Sequence, residues 1–166
     1  MAYLRSILFI ILASFLLIAC KQKAVLTDIN GNTIDIDQQN TKWIVVNYWA
    51  SWCEPCLKEI PELNDFYKAH QNINILMVGV NYDQETPATL RAMTTKLKMG
   101  YPTTTTDPAT LWNLAPVTGL PTTYLISPQG KIQAVLQGGQ THRLLDKKMG
   151  LQHGNRSILL NKNIQT

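Results

Sequence analysis

Two cysteines separated by Glu54-Pro55, set where a strand gives way to a helix, constrain this chain more than any other feature. Trp43 to Tyr48 is β-branched and aromatic with no charge, the pattern of a strand buried on both faces. It runs through Trp49-Ala50-Ser51-Trp52 into Cys53-Glu54-Pro55-Cys56. From Cys53 to His70, apolar residues recur at Cys56, Leu57, Ile60, Leu63, Phe66 and Tyr67, a helical spacing, and Pro61 is expected to kink that helix. Two thiols so spaced at a helix N-terminus can close a small disulfide ring, and the helix dipole favours charge on the first sulfur. Cys53 is therefore expected to be the exposed thiol. Cys56, one turn inside, is expected to be shielded and to attack only a disulfide already formed at Cys53, the division of labour that two-step exchange needs.

The rest of the chain reads as one domain built around that element. A hairpin is expected from Ala24 to Asp37 about the Asn30-Gly31 turn, and a second buried strand from Ile73 to Val80. Thr86 to Lys98 is helix-like, Asp107-Pro108 opens a short helix to about Leu114, and Thr141 to Met149 is a last short helix. Thr122 to Ile126 and Lys131 to Leu136 flank the turn Ser127-Pro128-Gln129-Gly130 and pair antiparallel. Thr103 to Thr106 reads only as an extended, β-prone segment. Strands alternating with helices and closing on a hairpin imply an α/β fold, a central mixed sheet covered by helices.

Composition narrows the chemistry. With 45% hydrophobic and 16% charged residues the chain can build a packed core. A net charge of +4 without clustered Lys and Arg leaves nucleic-acid binding aside. Three cysteines exclude a four-thiolate zinc site, and His70, His142 and His153 look scattered, so no metal is expected. His70, ending its helix, reads as solvated. Haem attachment needs a histidine directly after the second cysteine, where Leu57 stands. A structural disulfide is the remaining bland reading of the pair.

The N-terminus reads as an address. Ile7 to Ile18 is a run too short to cross a bilayer as a helix, which takes about 20 residues, but suited to a signal peptide. It ends in Leu17-Ile18-Ala19-Cys20 before Lys21-Gln22-Lys23 and resembles a bacterial lipobox, which implies that residues 1–19 are removed and Cys20 is lipidated. A plain secretory signal or an uncleaved anchor are the other readings. The expected division is thus 1–19 signal, 20–23 linker, 24–149 domain and 150–166 tail.

The Trp-Cys-Glu-Pro-Cys motif, the strand before it and Gly119-Leu120-Pro121-Thr122-Thr123-Tyr124 together resemble the thioredoxin superfamily, and within it the extracytoplasmic reductases of the TlpA and ResA type. The resemblance covers about 24–149. It implies a thioredoxin-like fold, with residues 82–115 similar to a TlpA-type insertion. It further implies that the loop at Pro121 is a cis-proline loop facing the disulfide, with Trp52, Leu120, Pro121 and Thr122 meeting substrate. Where thioredoxins carry a buried aspartate this chain has Asn47, so the resemblance places a carboxylate from the insertion near the disulfide, with Glu85 as the candidate.

The residues between the thiols, Glu54 and Pro55, set the direction. Negative charge at Glu54 disfavours the Cys53 thiolate, which lowers the potential and makes the couple an electron donor. The expected activity is reduction of protein disulfides with no cofactor besides the Cys53–Cys56 pair. Family resemblance implies recharging by a membrane donor of the DsbD or CcdA type, substrates such as apocytochrome c, and an envelope location tethered through lipid. The alternatives are a copper-handling metallochaperone module on the same fold, or a disulfide oxidase or isomerase.

Overall fold

A computed structural model describes residues 25–36, 42–72 and 75–151. The signal and lipobox expectations, with Cys20, the tail beyond Leu151 and His153, lie outside the described residues. The central strand is β3 (Trp43–Trp49), and successive side chains of a strand point to opposite faces. Ile44, Val46 and Tyr48 therefore enter one core with Val78, Val80, Tyr124 and Ile126. Val45 enters a second core, with Leu63, Phe66, Met77, Leu125, Leu145 and Met149. Each of these side chains contributes about 1.5–3 kcal/mol through burial, so both faces of the sheet are held by apolar packing.

The helix expected after Cys53 is α1 (Glu54–His70), and it continues through Pro61. Beside β3 runs β4 (Ile75–Asn81), parallel and in register from Trp43↔Ile75 to Trp49↔Asn81. The insertion follows with α2 (Pro87–Lys96), capped by the Thr86 hydroxyl accepting from the Thr89 N–H at 3.2 Å. Two of the four threonines do more than extend: β5 (Thr103–Thr104) is an edge strand parallel to β4. The short α3 (Ala109–Trp112) leads to β6 (Thr122–Ile126) and β7 (Ile132–Gln137), both antiparallel neighbours in the sheet. The chain then closes with α4 (His142–Met149), capped by Thr141, on the α1 face.

The five-stranded order is β5-β4-β3-β6-β7, a mixed sheet with helices on both faces, as the sequence led us to expect. The N-terminal hairpin forms its own sheet from β1 (Val25–Thr27) and β2 (Thr33–Asp35). Asp28 fixes its turn: Oδ1 accepts from the N–H groups of Asn30 and Asn32, both at 2.8 Å. The hairpin docks on the insertion strand, with Ile29 N–H donating to the Thr103 carbonyl at 2.9 Å.

Candidate active site

Ala50, Ser51 and Trp52 carry the chain off the end of β3, and Cys53 is the N-cap of α1. The Cys53 sulfur accepts a hydrogen bond from the Cys56 N–H at 3.3 Å. A sulfur in that place meets both an unpaired helix N–H and the positive end of the helix dipole, which favour its thiolate once the pair is reduced. Cys53 and Cys56 are joined as a disulfide with Cα atoms 5.3 Å apart. Cys53 is 5% exposed and Cys56 1%. The expected order of access holds, but Cys53 is far less open than expected, because Trp49, Ala50, Leu90 and Leu120 pack around the pair.

The Leu120–Pro121 peptide is cis. Ladder pairing of β6 with β3 and β7 starts at Thr122, so residues 119–121 lie past the end of the sheet. Thr122 is buried, and its hydroxyl donates to the Gly119 carbonyl at 2.7 Å, so its side chain shapes the loop instead of meeting substrate. Leu120 covers the disulfide cluster. Trp52 is 66% exposed and, with Tyr82, Thr118, Gly119 and Leu120, lines a cleft of ≈ 310 Å³.

Glu54 is exposed and pairs with the Lys58 ammonium at 2.7 Å. Its field at Cys53 is thus partly offset by a neighbouring cation, and Pro55, also exposed, starts the helix. The insertion also carries Glu85. It is exposed in the segment before α2, and its backbone N–H reaches Asn81 Oδ1 at 3.4 Å. The insertion carboxylate that touches the motif is Asp83, which accepts from Trp52 Nε1 at 3.0 Å.

The carboxylate behind the disulfide is one the sequence reading passed over. Glu59 follows Cys56 by three residues, one turn along the same face of α1. It is 3% exposed. Glu59 Oε1 accepts from Asn47 Nδ2 at 2.8 Å, and Oε2 from the Gln140 N–H at 2.7 Å. Asn47 also donates to the Thr123 hydroxyl at 3.0 Å. Burial pushes the Glu59 carboxyl up to about 7, and the two hydrogen bonds pull against that rise. Asn47 cannot titrate, but it aims Glu59, so the strand supplies the donor and the helix supplies the acid. A usable signal existed: at 100° per residue Glu59 falls between Leu63 and Phe66, in the middle of the buried stripe.

Two of the three histidines come together. His70 is buried and meets His142 with ring centroids 5.4 Å apart, so the solvated reading of His70 is corrected. They meet at the C-terminal end of α1, roughly 25 Å along the helix from Cys53.

Residues 20–135 match the family model described as the AhpC/TSA family. Thiol-disulfide oxidoreductase ResA of Bacillus subtilis is 32% identical over 127 residues, covering 76% of this chain and 70% of the relative. ResA of Bacillus cereus is 27% identical over 123 residues, covering 74% and 70%. Among solved structures, StoA from Bacillus subtilis superposes with a TM-score of 0.64 at 25% identity, covering 78% of this chain and 98% of that one. A thiol:disulfide interchange protein of Chlorobium tepidum, at 21% identity and a TM-score of 0.66 over 77% of this chain and 91% of that one, shares the fold.

Proposed function

The chain belongs to the AhpC/TSA family and is a thiol-disulfide oxidoreductase, and from that premise we propose that it works as a reductant of protein disulfides outside the cytoplasm. The observation that carries this reading is Glu59, a buried carboxyl pushed up to about 7 and held one turn behind Cys56. A group titrating there can hold or release a proton at neutral pH. In its charged form it disfavours a thiolate at Cys56, which lowers the potential of the couple.

The reaction starts from the dithiol. The Cys53 thiolate, supported by the Cys56 N–H, attacks a substrate disulfide; one substrate sulfur leaves and takes up a proton. The mixed disulfide lies in the cleft of Trp52, Tyr82 and Leu120, beside the cis-Pro121 loop. Glu59 accepts the Cys56 proton, Cys56 attacks the Cys53 sulfur, and the second substrate sulfur leaves. Substrate gains two electrons and the protein closes its disulfide. Reopening it takes a dithiol donor, in this reading a membrane carrier of the DsbD or CcdA type. The substrates in this reading are disulfides formed between the haem-binding cysteines of apocytochrome c, which leave as the thiols that haem needs, and those of other misoxidised envelope proteins.

Anchoring through a lipid on Cys20 completes the proposal; no helix among the described residues is long and apolar enough to cross a membrane. Equilibration with glutathione is expected to place the couple nearer about −270 mV than about −120 mV, and a value above about −180 mV overturns the reductant reading. Insulin reduction measures the activity directly. Replacing Cys20 by Ala is expected to release the protein from the membrane fraction.

A further inference from the structure

His70 stands in the last turn of α1 and His142 opens α4, and the packing of these helices aims both imidazoles at one carboxylate, Asp146. His70 Nε2 lies 3.1 Å from Asp146 Oδ1, and His142 Nε2 lies 3.3 Å from Oδ2. One donor atom from each of the three residues falls within 4.8 Å of the others. Asp146 is 3% exposed and His70 9%, so water solvates neither well.

The far nitrogen of His70 decides the chemistry. His70 Nδ1 sits 2.7 Å from the Phe66 carbonyl oxygen, which can only accept, so Nδ1 carries the hydrogen. In the neutral ring Nε2 is then a lone pair, facing a carboxylate oxygen at contact distance. A proton on Nε2 or a metal cation between the two atoms makes that contact attractive, and the second histidine on the same carboxylate favours the metal. An imidazole that gives its outer N–H to a backbone carbonyl while its inner nitrogen converges with other donors is the arrangement that orients metal ligands.

We propose that His70, His142 and Asp146 bind a divalent transition-metal ion, with zinc the class that suits two imidazoles and a carboxylate. Zinc bonds of about 2.0–2.2 Å in a tetrahedron place ligand atoms about 3.4 Å apart. Each imidazole already stands near that distance from an oxygen of Asp146, 3.1 Å to Oδ1 and 3.3 Å to Oδ2, and one donor atom from each residue lies within 4.8 Å of the others, so small side-chain adjustments complete the set. A cleft of ≈ 420 Å³ lined by Glu62, Thr141, His142 and Arg143 opens beside His142 and gives a water access to the fourth position. Of the two charged groups there, Glu62 accepts from the His142 N–H at 2.9 Å, and Arg143 opposes a cation.

The test uses the full chain with the Cys53–Cys56 disulfide closed and any other thiol blocked by iodoacetamide, so no thiolate competes for metal. Zinc is titrated against a chromophoric chelator, and cobalt replaces it for absorption spectra. One zinc per chain is expected, with a tetrahedral cobalt spectrum, and His142→Ala and Asp146→Asn each weaken binding about 100-fold. Insulin reduction by His142→Ala should match the parent, which shows that the variant is folded and separates this test from that of the redox reading. The proposal is overturned if the parent binds zinc no more tightly than His142→Ala. It is equally overturned if cobalt keeps its aqueous spectrum while nitrogen NMR at pH 7 shows both His70 nitrogens protonated, a proton then filling the gap.

Discussion

The two ends of α1 each bury a carboxylate, and the partners of the two differ in kind. Near the N-terminus Glu59 accepts hydrogen bonds from two amides, Asn47 and the Gln140 backbone. At the C-terminus Asp146, on α4, faces the imidazoles of His70 and His142. Neutral dipoles only partly replace water around a charge, so burial dominates at Glu59 and its carboxyl rises to about 7. Imidazoles instead offer positions where a cation can be held against Asp146. One helix thus carries a proton-exchanging end and a cation-holding end, distinguished by the chemistry of the donors and not by depth of burial.

The sharpest break of this comparison is at the reactive end. Cys56→Ser is expected to abolish turnover in insulin reduction and to accumulate mixed disulfides at Cys53, visible on non-reducing gels, while zinc titration of the other end is unchanged. Release of substrate without Cys56 would remove the division of labour between the thiols.

Glu59→Gln should come next. Loss of the proton acceptor is expected to slow disulfide reduction about 100-fold and to remove the ionisation near pH 7 from the rate profile. The same variant reads the stability sign. A carboxyl at about 7 in the folded state and about 4.3 unfolded binds more protons when folded, so stability falls as pH rises between those values. The wild type should therefore lose about 3 kcal/mol from this group between pH 4 and pH 8, and the variant should lack that slope in melting curves. Parallel slopes for the two proteins would remove Glu59 from the proton traffic.

Smaller effects are expected outside the helix. Trp52→Ala, at an exposed position, should change stability by less than about 0.5 kcal/mol but raise KM for a protein disulfide several-fold with kcat nearly unchanged. Glu85→Gln should leave the thiol titration where it is, because that side chain is exposed and solvent screens its charge. A shifted titration would return the insertion carboxylate to the mechanism.

What the sequence made legible was what neighbouring residues decide. The Cys53–Cys56 pair, the buried run of β3, the hairpin about Gly130 and the proline at the cis peptide are local patterns, and the structure contains each of them. Glu59 was readable only by asking which polar residue interrupts the apolar stripe of α1, since Glu is a common helix residue and draws no notice. In the insertion the resemblance asks for a carboxylate near the disulfide without fixing its register, and the one that touches the motif, through Trp52, is Asp83. The meeting of His70 with His142 belongs to tertiary packing of α1 on α4, which no local spacing encodes. Thr103 and Thr104 became a strand because the β4 edge and the hairpin offered their backbone partners.

The capping sulfur of Cys53 has a consequence for turnover. An atom with lone pairs stands at that spot whether it is bonded to Cys56, to a substrate or to nothing, so the first turn of the helix keeps an acceptor throughout the cycle. The enzyme can swap covalent partners at its working atom without unwinding the scaffold that aims it.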